Sequence, residues 1–287
     1  MDVHIIRLVP DVRKTKKAHL FISPLCILAV LCLLIQGATA VTTSIHVQKV
    51  DADGTSILAE KTIDYLWMEQ YLPVAGDGVT HYYHQGPVFT DNPDPATEEQ
   101  LRWNPAEDKN VQEKDMGALK GTRLQDITDL AGGMKPGDTV LVRASDGFTR
   151  TFGYENVYHP PSRQGPIVIT WYRAGEGYVP NYTTGMRLVF FADNSTNPWG
   201  IHAFGNQDWH ESASPGYWYY YIQGNERYPT TTGLSVQSVS EITIYPGNTS
   251  VRSASGATGS VAGLSPLTLL VPFGLLVLIS GWRGNRG

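Results

Sequence analysis

The sequence predicts a strand-dominated α+β domain with short helices and an N-terminal β-hairpin. Three observations carry this reading. Short runs rich in Val, Ile, Thr and aromatic residues recur along the chain, as at 139–144, 166–172 and 186–191. Clusters of Gly, Asp, Asn and Pro separate them, such as Asp51-Ala52-Asp53-Gly54 and Ser145-Asp146-Gly147. Apolar residues recur at helical spacing only over short stretches, so residues 41–263 are expected to hold no long helix.

Residues 43–50 alternate, with Ile45, Val47 and Val50 apolar, and residues 57–63 return after the Asp51–Gly54 turn as the second strand of a hairpin. The Asp51/Asp53 spacing resembles the opening of a calcium loop, but Ser56 stands where the sharp-turn Gly belongs and Thr62 where a bidentate Glu is needed, so a plain turn is expected. Residues 62–73 read as a strand end running into a short helix, capped by Asp64 or Thr62 and stopped by Pro73. Residues 74–89 are dense in Gly, aromatic rings and His, too polar for core, and residues 90–115 read as a long solvated loop or insertion.

A helix is expected over 124–130, with Thr122 as its N-cap and Gly132-Gly133 ending it. Strand 139–144, the Asp146-Gly147 turn and strand 149–152 make a hairpin, and 154–158 suits another short helix. Residues 166–172 form a near-continuous apolar run with β-branched members, which predicts a strand buried on both faces. Residues 186–191 give the next buried strand, and Leu234, Val236, Val239, Ile242 and Ile244 close the domain. The aromatic run 218–221 suits either stacking on a sugar or ring-shaped ligand, or alternation between core and edge strand.

The two ends read differently from the body. Residues 1–40 have a basic start, an apolar stretch at 20–35 and Ala38-Thr39-Ala40, the pattern of a cleaved secretory signal. Residues 264–282 are apolar and uncharged, long enough for one tilted transmembrane helix, and Arg283 and Arg286 after it favour a cytoplasmic tail at 283–287. Residues 248–263 are Ser/Gly-rich and suit a stalk. The expected organisation is therefore signal, hairpin 41–61, main domain 62–247, stalk, membrane helix and tail, with the main domain extracellular.

Composition narrows the function. Residues 41–263 hold 15 of the 22 basic and 25 of the 27 acidic groups, a net charge of −10. That argues against nucleic acid as a partner; cell-surface or envelope proteins fit better. Both cysteines, Cys26 and Cys32, lie in the signal segment, so the exported body has no disulfide, thiolate ligand or cysteine nucleophile. Asn181, Asn194 and Asn248 head glycosylation sequons.

The candidate chemistry lies in two His-bearing segments. His81 and His84 are spaced to chelate one metal from a turn, whereas on a strand they would face opposite sides. His202 and His210, with Asp208 and Glu211, form the second group. If the segments meet, these residues could bind zinc, iron or copper, with Tyr82, Tyr83 and Trp209 around them. The plainer reading is that these histidines hydrogen-bond backbone in aromatic, Gly-rich loops.

The order of motifs carries a resemblance. G-T-x-L-x-D-I-x-x-L-A-G at 121–132, P-G-D-T-V-x-V-x-x-S-D-G-F-T at 136–149, an apolar strand, G-M-R-L-V at 185–189 and the closing S-E-I-T-I at 240–244 together resemble the molybdopterin-binding domain of the sulfite oxidase family. The likeness covers roughly residues 62–245. Taken whole, with H-Y-Y-H-Q-G-P at 81–87, H-A-F-G-N at 202–206 and D-W-H-E at 208–211, the chain resembles a group of exported, membrane-anchored proteins of methanogenic archaea that carry this domain. The resemblance implies that fold, a molybdopterin-type oxidoreductase activity, and a place for Arg187 beside the phosphate side of the cofactor. Arg187 could equally pair with Asp146 or Glu155. The family holds molybdenum through a cysteine thiolate, which residues 41–263 lack. The favoured expectation is therefore a binding or envelope module, with a transition metal favoured over molybdopterin; the alternative is an oxidoreductase.

Overall fold

A computed structural model describes residues 41–194 and 197–247. The expected signal segment, stalk, membrane helix and tail, together with Asn248, lie outside the described residues. Among the described residues no helix is long and apolar enough to cross a membrane.

The described chain is strand-dominated α+β. In order it runs β1 (Ser44–Val50), β2 (Ile57–Asp64), α1 (Tyr65–Tyr71), β3 (Val74–Ala75), β4 (His81–His84), α2 (Pro95–Trp103), β5 (Asp115–Arg123), α3 (Leu124–Asp129), β6 (Thr139–Ala144), β7 (Thr149–Gly153) and α4 (Tyr154–Tyr158). It continues with β8 (Ile167–Arg173), β9 (Gly177–Tyr178), β10 (Arg187–Phe190), β11 (His202–Phe204), α5 (Asn206–Ser212), β12 (Tyr220–Gln223), β13 (Glu226–Pro229) and β14 (Val239–Tyr245). One five-stranded sheet has the order β2-β1-β14-β6-β7. A seven-stranded sheet has the path β10-β8-β5-β4-β11, with β3 on β5 and β9 on β8, and β12-β13 stand as a separate pair.

Both larger sheets feed one apolar core. On β1, Ile45 and Val47 turn inward while His46 and Gln48 face outward, and Ile242 and Ile244 of the parallel neighbour β14 add to the same core. Strand β8 sits between β10 and β5, and its residues from Ile167 to Trp171 are all buried, as its continuous apolar pattern predicts. Its polar groups are satisfied: the Thr170 hydroxyl donates to the Arg187 carbonyl at 2.9 Å, and the Trp171 indole donates to Thr122 Oγ1 at 3.1 Å.

The structure corrects several expectations. Thr122 belongs to β5 and does not cap the next helix; Arg123 takes the cap position without a side-chain cap bond. Residues 90–115 are not one long loop, because α2 lies inside them. Asp94 accepts from the Thr97 N–H at 3.0 Å, and Pro95 suits the first turn. Residues 81–84 are not a loop but a central strand, and His84 and Gln85 are fully buried. Gly121 explains why β5 is hard to see in sequence. A Cβ there would stand 2.4 Å from the Ile169 carbonyl oxygen, so close strand approach requires glycine in a stretch that would otherwise read as a stronger strand.

Gly165 fixes the entry into β8. Its φ is +66°, and a Cβ would lie 1.9 Å from the Phe191 carbonyl oxygen. Gly165→Ala is expected to cost about 2 kcal/mol and to lower Tm by roughly 5 °C, read by thermal denaturation.

Candidate functional site

The two His-bearing segments do meet. Strands β4 and β11 pair in parallel, with His202 opposite Tyr82 and Phe204 opposite His84. Pairing the strands does not gather the imidazoles. His81 and His84 are three residues apart on one strand and face opposite sides. His81 is half-exposed, with Nδ1 2.8 Å from Asp115 Oδ2.

His84 is enclosed. Phe190 and Phe204 pack edge-on against its ring, and the Phe190 backbone N–H donates to Nε2 at 3.1 Å. That bond leaves the proton on Nδ1. Burial pushes the imidazole down to about 3, and the nearby Arg187 charge pushes the same way, against a weak opposing pull from the Thr231 backbone. His84 is therefore neutral in the folded protein and acts as a backbone acceptor.

His202 has Nδ1 2.8 Å from the Ala192 carbonyl, and its ring meets Tyr82 edge-on. His210 lies on α5, stacked on Trp218 with ring centroids 4.5 Å apart and edge-on to Trp103. Glu211 accepts from Gln207 one turn earlier, at 2.9 Å. Among the described residues, no three His, Cys, Asp or Glu side chains converge as a metal-binding group.

Asp208 belongs to a different cluster. Its Oδ2 accepts from the Gly205 N–H at 2.7 Å and from Arg163 Nη2 at 2.9 Å. Arg163 Nη2 also meets both oxygens of buried Glu107 at 2.6 Å, and Nη1 meets Asp193 at 3.1 Å. One guanidinium thus serves several carboxylates. Burial, followed by the hydrogen bond and charge of Glu107, pushes the Asp208 carboxyl up to about 9, with Arg163 and the Gly205 N–H opposing. At neutral pH the Asp208 carboxyl therefore keeps its proton, and the cluster ties three loops together.

A second network was not legible in the sequence. Asn206, fully buried at the start of α5, receives the Thr231 N–H on its side-chain oxygen at 2.9 Å and donates to the Gly86 and Pro229 carbonyls at 3.1 and 3.0 Å. Its own N–H donates to Gln85 Oε1 at 2.8 Å, and the Gln85 N–H donates to Thr231 Oγ1 at 2.8 Å. The network locks the end of β4, the start of α5 and the segment after β13 to one another. The links span between 23 and 146 positions, so no local pattern could announce them.

A scan against known protein-family models finds no match to this chain, and a search of curated proteins likewise returns none.

Arg187, on β10, is largely buried. Its Nε donates to Ser235 Oγ at 2.7 Å, and that hydroxyl donates on to the Leu188 carbonyl at 2.6 Å. Neither Asp146 nor Glu155 pairs with it. Burial lowers its pKa, Tyr182 opposes, and the Arg173 charge adds to the lowering. Arg150 is a comparable case. Its guanidinium sits 3.9 Å from the Phe148 and Tyr219 ring centroids, its Nε and Nη1 donate to the Gly233 and Thr149 carbonyls, and Nη2 has no partner. The sequons differ in what is described: Asn181 and Asn194 are exposed, which leaves both open to modification.

Proposed function

We propose that residues 41–247 are the outward-facing recognition domain of a membrane-anchored surface protein, built on the molybdopterin-binding fold of the sulfite oxidase family and used for binding rather than redox catalysis. The order of motifs supports the fold: the β5–α3 junction, the β6–β7 hairpin, β10 and β14 carry the matching residues in sequence. The signal-like start and apolar C-terminal stretch support the location.

The observation that carries the binding reading is the separate employment of each candidate metal ligand. His84 accepts a backbone N–H, His202 contacts a carbonyl, His210 stacks on indole, Asp208 joins Arg163, and Glu211 holds Gln207. No thiol exists in residues 41–263, so the donor set does not fit a thiolate-bound molybdenum. One observation favours the oxidoreductase reading. The buried Arg187 guanidinium, held by Ser235 and without a carboxylate, has the chemistry to hold a phosphate group. It fits one end of such a cofactor and not the metal.

Thermal denaturation with and without zinc, copper or a chelator tests this. A genuine site at a hundredfold saturation adds about 2.7 kcal/mol, a rise in Tm of roughly 5–10 °C. The binding reading predicts superimposable curves. A chelator-sensitive Tm would restore the metal centre.

A further inference from the structure

The strongest unassigned feature lies away from the histidines. A half-open cleft of about 290 Å³ is bounded by the start of α4, the turn before β6 and the segment that follows α5. Its walls include Gly153, Glu155, Asn156, Ser212 and Tyr217.

The polar groups here are held in position but left open. Asn156 is 3% exposed, and its Nδ2 donates both to Gln164 Oε1 at 2.8 Å and to the Ser212 carbonyl at 2.9 Å. These bonds fix the amide so that Oδ1 turns toward Gly153, 3.5 Å from where a Cβ would stand. Tyr217 presents its hydroxyl and ring edge on the same side, 3.3 and 3.2 Å from that position. Among the described residues Glu155 forms no ion pair. Gly153 keeps the space clear: a side chain there would press on the tyrosine ring.

We propose that this cleft binds a neutral polyhydroxyl ring, a single sugar residue of a glycan. The inference rests on the recognition-domain reading. Its volume lies at the small end of ligand pockets, suited to one ring. A fixed amide acceptor, the Tyr217 phenol, the exposed Ser214 hydroxyl at the rim and the Glu155 carboxylate match hydroxyls that both donate and accept. No lysine or arginine lines the cleft, which disfavours an anion. The Tyr217 ring offers an apolar face for sugar C–H groups.

Saturation-transfer NMR on the full chain, in a polyoxyethylene detergent to avoid sugar headgroups, tests this with methyl glucoside, galactoside, mannoside and N-acetylglucosaminide. Saturable transfer from at least one glycoside is expected. Ser214→Trp, which places an indole at the exposed rim, should weaken it at least tenfold while leaving Tm unchanged. Glu155→Gln should weaken it less. The proposal is overturned if no glycoside shows saturable transfer, if Ser214→Trp leaves transfer intact, or if tetramethylammonium alone binds, which would make this a cation site. These outcomes are independent of metal content, so they leave the binding-versus-redox question standing on its own measurement.

Discussion

Arg163→Met is expected to lower stability by about 3–5 kcal/mol, because it removes the cation that holds buried carboxylates together. Glu107 and Asp208 would then face each other without a positive partner, with Asp193 losing its contact as well. The fall in Tm should be roughly 10 °C for a domain of this size. Asp208→Asn added to that variant should recover part of the loss at high pH, where the carboxyl would otherwise ionise, since the amide still accepts the Gly205 N–H and carries no charge. Equal stability of the single and double variants at that pH would contradict this account of the cluster.

The same cluster sets a pH dependence. The Asp208 carboxyl titrates near 3.8 when unfolded and is pushed up to about 9 when folded. Between those values the folded chain holds a proton that the unfolded chain lacks, so stability falls as pH rises, by at most about 1.4 kcal/mol per unit. His84 works the other way. Its folded value of about 3 lies below the ordinary 6.5, so stability falls as pH drops through that window. The two slopes oppose each other between about pH 4 and 6.5, and above that range only the Asp208 slope remains. Denaturant melts of wild type should show declining stability from pH 7 to 9, and Asp208→Asn alone should flatten that decline.

Asn206→Ala is the second large effect. It strands the Gly86 and Pro229 carbonyls in the interior and leaves the Thr231 N–H with the Gln85 carbonyl alone. Each unpaired buried group costs about 1–3 kcal/mol, incompletely additive, so a total loss of about 3–5 kcal/mol is expected. Asn206→Asp keeps the volume and the acceptor but loses both donors, and should be at least as damaging. A variant that melts within a degree of wild type would show that the network is dispensable.

These two networks also show where sequence reasoning runs out. Strands β1, β6 and β8 were legible because one residue's neighbours along the chain decide its face. Helix α1 was legible through Asp64, which accepts the Trp67 N–H at 2.8 Å. Helix α2 carried the same kind of signal in Asp94-Pro95 but buries little apart from Glu98 and Trp103, so its apolar pattern was weak. The segment at β4 was misread for a different reason. His-Tyr-Tyr-His-Gln looks too polar for a core, yet Phe190 satisfies one nitrogen of His84, while Asn206, Lys109 and Thr231 satisfy Gln85. Such partners are supplied by tertiary structure alone. Whether the two His segments meet was left open by the sequence, and the side chosen by each ring depends on strand register, which the spacing only constrained.

The account's central claim is that this domain binds without a resident redox metal. Elemental analysis of the full chain, purified from cells grown with ample molybdate, zinc, iron and copper, tests it most directly. The account predicts that every metal is far below stoichiometric. Molybdenum near one atom per chain would contradict it.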